Sequence, residues 1–352
     1  MTKKRVLMIG PGRNVKGGIS TVVNNYFLCG IDEQVNIRYL STMEDGSKAK
    51  KLCVAARAFI IFCFIVKNYD IVHIHMASHA SFERKSFFVR KSKKAGKRII
   101  IHQHSGFFDE YYFKSSSKTK KRIIEIYDLA DKVLVLSEEW AKFFSENICA
   151  KEKLFILQNG VVIPKEKKSD YNNHNIVMLG KLDKTKGVYD LLSVIPRVID
   201  TINDAMFYIC GNGDIAPCKK IVDEYEVGNN VVIKGWQGHK QCEELLKKCC
   251  VFVLPSYHEG MPMALLEAMS YGLAPISTNV GSIPRVIDQG INGVMIGAGN
   301  KEELYTQFVS LLKDENKRKA WGEAARIKVQ ERFDAKIMVD KLVGIYRSEE
   351  MG

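Results

Sequence analysis

The sequence lacks a hydrophobic run long enough to cross a bilayer. Its longest apolar stretch covers residues 58–66 and extends back to Leu52 only across Arg57, whereas a membrane-spanning helix needs about 20 apolar residues. A signal peptide is also missing, because the basic start leads into only the short apolar run 6–9 before Gly10. We therefore expect a cytoplasmic protein without a transmembrane anchor.

Cysteine spacing and composition exclude two further classes of protein. The nine cysteines include no C-x-x-C pair, so a zinc site with that spacing is excluded and reduced thiols are expected. Hydrophobic residues make up 46% and charged residues 26% of the chain, and no segment has the composition of a long disordered region. We expect an ordinary enzyme-sized globular protein.

The 352 residues exceed the length at which one hydrophobic core stops growing, so two domains are expected. Short β-branched runs alternate with stretches of helical composition, which predicts parallel sheets built from βαβ units. A polar segment, 164–175, is interpreted as the linker between domains 1–165 and 166–332, and an amphipathic final helix is predicted within 333–352. The predicted strands are 6–9, 71–74, 99–101, 133–136 and 155–157 in the first domain, and 176–179, 206–209, 231–233, 251–254, 275–277 and 294–296 in the second.

Charge is distributed unevenly between the two halves. Residues 1–165 contain 29 Lys and Arg against 15 Asp and Glu, while residues 166–352 contain 24 against 25. A basic half is expected to meet something anionic, which charge alone leaves open among nucleic acid, anionic lipid and a phosphorylated substrate.

The first predicted strand ends in a glycine-rich turn, residues 10–12, and Gly17-Gly18 follow where a helix is expected to begin. Backbone N–H groups at such a helix N-terminus suit an anionic ligand. The turn is not a dinucleotide-binding fingerprint, because Val15 stands where the third glycine belongs. A turn that only needs positive φ explains these glycines equally well.

Residues 255–269, PSYHEGMPMALLEAM, carry the strongest local signal. They follow a predicted buried strand, and Pro262 suits the first position of a helix that ends near Gly272. The helix N-terminus would then lie at the carboxyl edge of a sheet, where doubly wound folds bind ligands. Glu259 in the loop and Glu267, about two turns into the helix, would accept hydrogen bonds from sugar and ribose hydroxyls. Composition alone favours a solvated Glu267 and a Glu259 that stabilises the helix dipole.

The loop after the first strand of the second half, 180–187, is a basic element. Its Lys181 and Lys186 lie five residues apart and could neutralise a diphosphate leaving group. Surface lysines are common, so this pair alone does not identify a site.

Together these motifs resemble the retaining family-four glycosyltransferases, which have the GT-B fold and include capsule and lipopolysaccharide-core enzymes. The resemblance covers nearly the whole chain and is carried by the spacing of Glu259 and Glu267 within P-S-x-x-E-G-x-P-x-x-x-x-E-A-M. It implies two Rossmann-like, doubly wound α/β domains that face each other across a cleft, with the final helix crossing back onto the first domain. Further matches lie at Gly17-Gly18, 70–75, Asn159-Gly160, 180–187, 211–213 and Asn292-Gly293.

The resemblance also implies roles for single residues. Glu267 would accept from the donor ribose, Glu259 would face the sugar hydroxyls, and Lys186 would bind the diphosphate. Lys181 stands where the family usually has arginine, which keeps the charge but loses the bidentate geometry. The implied catalytic residues are His104, Lys186 and Glu259, and the further donor-binding residues are Gly17, Gly18, Gly211, Gly260, Met261, Pro262, Met263 and Ala264.

His104 matches the family's first-domain histidine near the transferred sugar. His102 is an alternative, because the two differ by one period of strand alternation. His73, His75 and His102 are expected to be buried core or strand-end histidines.

The implied reaction transfers a hexose from a nucleotide-diphosphate-sugar with retained configuration, and the departing diphosphate helps to deprotonate the acceptor. No protein nucleophile is needed, and because no Asp-x-Asp motif occurs, neither a metal nor a cofactor is expected. UDP is the expected nucleotide, with GDP as the main alternative. Gly235 and Trp236 would lie near the base, although a core position explains Trp236 equally well. The expected acceptor is a glycan or a polyprenyl-diphosphate-linked glycan in surface polysaccharide biosynthesis.

Three other functions fit parts of the sequence. A nucleic-acid-binding protein would explain the basic half, but no motif with interleaved aromatics occurs, so no nucleic acid partner is expected. A nicotinamide-dependent dehydrogenase is disfavoured by the broken glycine fingerprint. A non-catalytic sugar-nucleotide binder, or a GT-B-fold sugar-nucleotide epimerase, is the remaining alternative.

The basic half also predicts peripheral contact with the anionic inner face of the plasma membrane.

Overall fold

The computed structural model describes residues 3–166 and 170–348 and contains two parallel six-stranded sheets. The chain divides into two units: unit 1 comprises the residues up to 160 together with those from 335 onward, and unit 2 comprises 161–334. Strands and helices alternate along both units, which confirms the predicted class of two Rossmann-like, doubly wound α/β units.

Unit 1 arranges its parallel strands in the order β2-β1-β3-β4-β5-β6. These strands are β1 (Arg5–Gly10), β2 (Asn36–Ser41), β3 (Ile71–Met76), β4 (Arg98–Gln103), β5 (Lys132–Val135) and β6 (Leu154–Ile156). The helices are α1 (Gly18–Leu28), α2 (Ile31–Gln34), α3 (Lys48–Ile65), α4 (Ala80–Lys94), α5 (Phe108–Lys114), α6 (Ser117–Asp128), α7 (Glu138–Asn147) and, at the far end of the chain, α15 (Ala335–Arg347).

Unit 2 arranges its parallel strands in the order β12-β11-β10-β7-β8-β9. These strands are β7 (Asn175–Leu179), β8 (Met206–Cys210), β9 (Val231–Lys234), β10 (Val251–Leu254), β11 (Ala274–Thr278) and β12 (Val294–Ile296). The helices are α8 (Val188–Thr201), α9 (Ile215–Glu224), α10 (His239–Lys248), α11 (Met263–Ser270), α12 (Ile283–Val286), α13 (Lys301–Leu312) and α14 (Glu315–Arg332). Unit 2 also has a short 3₁₀ turn at Lys184–Lys186, and unit 1 has two, at Val66–Asn68 and Lys151–Lys153. No helix in the described ranges is both long and apolar enough to span a membrane.

The central strands are buried along their whole length because helices cover both faces of a parallel sheet, and most of their residues are apolar. Every residue of β3, β10 and β11 is buried. All eleven strands predicted from β-branched runs are present. The additional strand, β2, lies at the edge of its sheet and is largely polar and partly exposed, so it carries no apolar run.

The division between units differs from the predicted one. It falls after residue 160 and before residue 335, not at 165/166, and the described part of the predicted linker packs within unit 2. Buried Tyr171 donates its hydroxyl to the Gly272 carbonyl at 3.0 Å, and the Tyr171 carbonyl accepts from the Arg318 guanidinium. Residues 167–169 of that segment lie outside the described residues.

The final helix α15 belongs to unit 1. Its buried Tyr346 hydroxyl lies 2.5 Å from Nδ1 of His73 on β3, and the Arg98 guanidinium donates to the Tyr346 carbonyl at 3.1 Å. Residues 349–352, which the predicted helix included, lie outside the described residues.

Candidate functional site

The order of strands in unit 2 locates a crevice at the carboxyl edge of its sheet. Chain order runs outward in opposite directions on the two sides of the β10–β7 pair. The loops that follow these two strands therefore diverge, and such switch points are where open α/β sheets bind ligands. The two predicted catalytic side chains of unit 2 lie in these two loops.

Lys186, after β7, and Glu259, after β10, form an ion pair at this switch point. The Lys186 ammonium donates to Glu259 Oε1 at 2.6 Å, and the Ser256 hydroxyl donates to the same oxygen at 2.7 Å. Glu259 is only 7% exposed, whereas the Lys186 side chain is 24% exposed. The buried carboxylate is thus satisfied, while the ammonium keeps donors for a ligand because it has three N–H groups.

Close backbone packing holds the two loops together. Gly187 follows Lys186 at φ 69°, and a Cβ there would lie 2.0 Å from the Pro255 carbonyl oxygen. The backbone N–H of Tyr257 also donates to the Thr185 carbonyl at 2.9 Å. The position of the Lys186 ammonium relative to Glu259 therefore depends on a glycine at residue 187.

We predict that Gly187→Ala destabilises unit 2 by about 1–3 kcal/mol, because the change combines a left-handed backbone conformation with a steric clash. Chemical denaturation followed by circular dichroism measures the change. Gly228→Ala is the matched control, since a Cβ at exposed Gly228 would meet nothing within 4 Å. Equal stability of the two variants would contradict the packing argument.

Helix α11 begins one residue later than predicted, with Pro262 as its N-cap residue. No side chain caps this N-terminus, so the first backbone N–H groups, at Met263 and Ala264, suit an anion. Glu267 is the fifth residue of α11, a little over one turn from its start, and is only partly buried. Desolvation by the surrounding protein raises the pKa of Glu267 from 4.5 to about 7.

Lys181 does not join the Lys186–Glu259 pair. It is exposed, and its ammonium contacts Asp183 Oδ2 at 2.7 Å. Asp183 also accepts from the Lys186 backbone N–H at 3.1 Å and from the Thr185 hydroxyl at 2.6 Å. Although burial alone would raise the pKa of Asp183, these hydrogen bonds and the Lys181 charge lower it below its ordinary value.

The other predicted unit 2 residues lie around the same edge. Gly211 directly follows β8, and a Cβ there would lie 1.6 Å from the Gly180 carbonyl oxygen, so this glycine permits the loops after β7 and β8 to touch. Gly235 and Trp236 follow β9, the outermost strand on that side. Trp236 is 44% exposed, so the alternative of an ordinary core aromatic is wrong.

Two contributors were not predicted from the sequence. Ser256 fixes the Glu259 carboxylate, and Asp183 holds the turn that carries Lys186. The Asp183-x-x-Lys186 spacing is typical of a capping aspartate and was a usable signal. Ser256 had no comparable signal, because its bond to Glu259 depends on the fold of the loop.

In unit 1, the glycines of the segment 10–18 have two different structural roles: Gly10 allows close packing, and Gly17 leaves a helix N-terminus open. None of its glycines has φ in the left-handed region, so the positive-φ alternative is wrong. A Cβ at Gly10 would lie 2.2 Å from the Tyr39 hydroxyl, whereas a Cβ at Gly17 would meet nothing within 4 Å. Gly17 is the N-cap residue of α1, which begins at Gly18, and no side chain caps it. The helix N-terminus at Gly17-Gly18 is therefore open.

His104 immediately follows β4 and belongs to a cluster of four histidines. Its Nε2 lies 2.8 Å from His75 Nδ1, and its ring centroid lies 4.0 Å from that of His102. His73, His75 and His102 are fully buried, as predicted, while His104 is only partly buried. Of the two alternatives, His104 rather than His102 can therefore meet a ligand.

Burial keeps these imidazoles neutral. It lowers the pKa of His102 to about 3 and the pKa values of His73, His75 and His104 well below 6.5. The nearby ammonium of buried Lys85 further lowers the pKa of His75 and His104. A neutral His104 offers one donor and one acceptor, which suits a hydroxyl-rich ligand.

Three of these histidines are also close enough to be considered as metal ligands. Within the described ranges, the ligand atoms of His73, His75 and His102 lie within 4.8 Å of one another. However, Nδ1 of His73 and Nδ1 of His75 already have hydrogen-bond partners, and the Lys85 charge opposes a cation there. That the protein requires no metal and no cofactor stays a prediction.

Comparison with known proteins agrees with this geometry. Residues 162–328 match the family described as glycosyl transferases group 1. A protein from the capsule region of Klebsiella pneumoniae is 25% identical and covers 95% of this chain and 97% of its own length. The UDP-Gal:alpha-D-GlcNAc-diphosphoundecaprenol alpha-1,3-galactosyltransferase of Escherichia coli is 26% identical over 80% of this chain and 76% of its own.

A solved structure matches the fold of the whole chain. Anabaena Alr3699/HepE, in complex with UDP and glucose, superposes with a TM-score of 0.79, 14% identity and coverage of 98% of this chain and 100% of its own. The match covers both six-stranded units. The second unit is therefore similar to group 1 glycosyl transferases over residues 162–328, and the chain has the GT-B fold.

Proposed function

We propose that this protein is a retaining hexosyltransferase that uses a nucleotide-diphosphate-sugar, with UDP as the nucleotide. Its acceptor is a glycan or a polyprenyl-diphosphate-linked glycan in surface polysaccharide biosynthesis. The E. coli relative's name supports both choices, because it states a UDP-linked donor and a diphosphoundecaprenol acceptor. The K. pneumoniae relative from a capsule region supports the cellular process.

One observation carries the proposal. The Lys186 ammonium is held on the buried Glu259 carboxylate at the switch point of unit 2, next to the uncapped N-terminus of α11. A cation, a carboxylate and free backbone N–H groups are the three kinds of group that a sugar diphosphate needs at its reacting end. Glu267 then offers an acceptor to the ribose hydroxyls farther along the same helix.

The chemistry follows from these charges. The bond between the anomeric carbon and the diphosphate oxygen breaks, and its electron pair stays on the diphosphate. Lys186 and the α11 N–H groups stabilise that negative charge. The acceptor oxygen bonds to the anomeric carbon on the face that the diphosphate leaves, and its proton passes to a diphosphate oxygen. Glu259 would hold a sugar hydroxyl.

We predict that a UDP-sugar raises the melting temperature of the purified protein more than the matching GDP- or ADP-sugar does, because at equal concentration the ligand that binds more tightly stabilises the folded state more. Differential scanning fluorimetry with UDP, GDP, ADP and their sugar conjugates measures the shift. At a ligand concentration 100 times Kd, the expected stabilisation is about 2.7 kcal/mol. No shift with any nucleotide would contradict donor binding.

Binding alone does not separate transfer from the two alternatives. A non-catalytic binder would shift the melting temperature without releasing nucleotide, and an epimerase would need no acceptor. Release of UDP that depends on added polyprenyl-diphosphate-linked glycan, followed by mass spectrometry of the extended lipid, supports transfer. Release that is independent of any acceptor counts against it.

A further inference from the structure

Helix α3 of unit 1 exposes an apolar stripe to solvent. Leu52, Ile60 and Phe64 are 72%, 59% and 79% exposed. Leu52 and Ile60 lie eight residues apart and Ile60 and Phe64 lie four apart, so the three side chains follow one side of the helix. Only Ala58 and Phe62 of the 18 residues in α3 are fully buried, so most of the apolar stretch 58–66 is not fully buried.

The neighbouring helix α4 extends the exposed apolar surface. Phe87 on α4 is 60% exposed, and its ring packs edge-on against Phe59 of α3 at 6.3 Å between centroids. The side chains of Leu52, Ile60, Phe64 and Phe87 thus form one patch on two packed helices, which we name the α3–α4 patch. Contiguous apolar surface of this kind usually marks a contact with a protein or a membrane.

The charge around the α3–α4 patch has a single sign. Residues 46–69 contain no Asp or Glu, but they contain Lys48, Lys50, Lys51, Arg57 and Lys67. On α4, exposed Arg90, Lys93 and Lys94 lie toward the C-terminal end. The one acidic residue of α4, Glu83, is paired with Arg122.

Basic charge is concentrated in the unit that carries the patch. Residues 1–160 with 335–352 contain 31 Lys and Arg against 18 Asp and Glu, whereas residues 161–334 contain 22 against 22. Unit 1 therefore holds the whole positive excess of the chain. This charge repels a second copy of the same patch and attracts an anionic partner.

We propose that the α3–α4 patch docks on an anionic lipid bilayer, with Leu52, Ile60, Phe64 and Phe87 inserted among the lipid headgroups. An interfacial helix with Lys and Arg beside Phe and Leu lies in the membrane plane and does not cross it. Anionic lipid attracts each nearby Lys or Arg, and each buried apolar side chain adds to the affinity. This docking is independent of the proposed sugar transfer and needs no lipid-linked acceptor.

Vesicle sedimentation tests the proposal with two double variants. Ile60→Gln/Phe64→Gln removes two apolar side chains of α3 from the patch. Glutamine is introduced because it favours helix and should leave α3 folded. Ile291→Gln/Ile327→Gln is the control and removes two exposed apolar side chains from unit 2, which are 65% and 53% exposed. The vesicles are phosphatidylcholine with and without phosphatidylglycerol, at low and at high salt.

The expected result has three parts. The unaltered protein sediments with phosphatidylglycerol vesicles at low salt, binds neutral vesicles more weakly, and is released by salt because the charges are screened. Ile60→Gln/Phe64→Gln lowers the partition coefficient at least about tenfold. Ile291→Gln/Ile327→Gln binds like the unaltered protein.

Two outcomes would overturn the proposal. One is vesicle binding that contradicts docking: either Ile60→Gln/Phe64→Gln binds as well as the unaltered protein does, or the unaltered protein shows no preference for anionic vesicles. The other is a dimer in sedimentation velocity that Ile60→Gln/Phe64→Gln converts to a monomer, since a second copy would then cover the patch. The thermal shift with the nucleotide-sugar should be the same in both double variants, so failure of docking and failure of donor binding are distinguishable.

Discussion

Lys186→Ala is expected to lower kcat about 10²- to 10³-fold, which corresponds to about 2.7–4 kcal/mol of transition-state stabilisation. The lost ammonium is the cation nearest to the buried Glu259 carboxylate, at 2.6 Å. Without it, negative charge that develops on the leaving diphosphate is opposed by Glu259 rather than balanced by Lys186. Nucleotide release in the presence of acceptor measures the effect.

Lys184→Ala is the matched control, because Lys184 lies in the same 3₁₀ turn and is exposed. It removes an equal charge two residues away and should leave kcat within about twofold. Lys186→Arg should recover part of the activity, since it restores the charge with different geometry. If Lys184→Ala and Lys186→Ala lose the same activity, the effect comes from overall charge and not from the ion pair.

Glu267→Gln is expected to stabilise the ligand-free protein at pH 8 while abolishing its thermal shift with the donor. The raised pKa of Glu267, about 7 against 4.5, means that folding favours the protonated carboxyl. Between these two pH values the folded state binds more protons than the unfolded state, so stability falls as pH rises. Above about pH 7 Glu267 is ionised in the folded state, and the protein bears the full free-energy cost of desolvating that charge. A neutral glutamine does not carry this cost.

The expected gain at pH 8 is on the order of 1 kcal/mol, because solvent screens this partly exposed side chain. That corresponds to a rise in melting temperature of about 2–4 °C for a unit of this size. At pH 5 the melting temperatures of Glu267→Gln and the unaltered protein should differ less.

Glu331→Gln, on the exposed surface of α14, is the control and should show no such dependence on pH. A melting-temperature difference for Glu267→Gln that is the same at pH 5 and pH 8 would refute the raised pKa. Retained donor binding in Glu267→Gln would refute the ribose-binding role.

Much of the fold was predictable because central parallel strands carry an unambiguous signal. A strand such as β10, covered on both faces, must be apolar at every residue. Edge strand β2 was not predicted, because exposed polar residues such as Arg38 interrupt any apolar run. The polar segment 164–175 carries no apolar pattern, yet its described part packs within unit 2, where Tyr171 is buried and the Pro164 carbonyl accepts from Arg326.

The candidate site was predictable in its parts but not in its pairing. The loop motif located Glu259 and Glu267, and the basic turn located Lys186, yet no sequence rule joins residues 73 positions apart. Lys181 and Lys186 had the same local signal, but the turn capped by Asp183 directs only Lys186 to Glu259. The exposure of a side chain likewise depends on its neighbours in the fold. The sequence therefore could not show that Trp236 is exposed rather than part of the core.

By itself the sequence determined the succession of strands and helices, the composition of the motif 255–269 and the basic excess of the first half, because these depend on residues close together in the chain. Tertiary structure alone decided that β10 lies beside β7, that α15 returns to His73, and that one face of α3 remains uncovered. These facts depend on which distant elements pack together. Packing is chosen by the total burial of the chain, and no local segment encodes it.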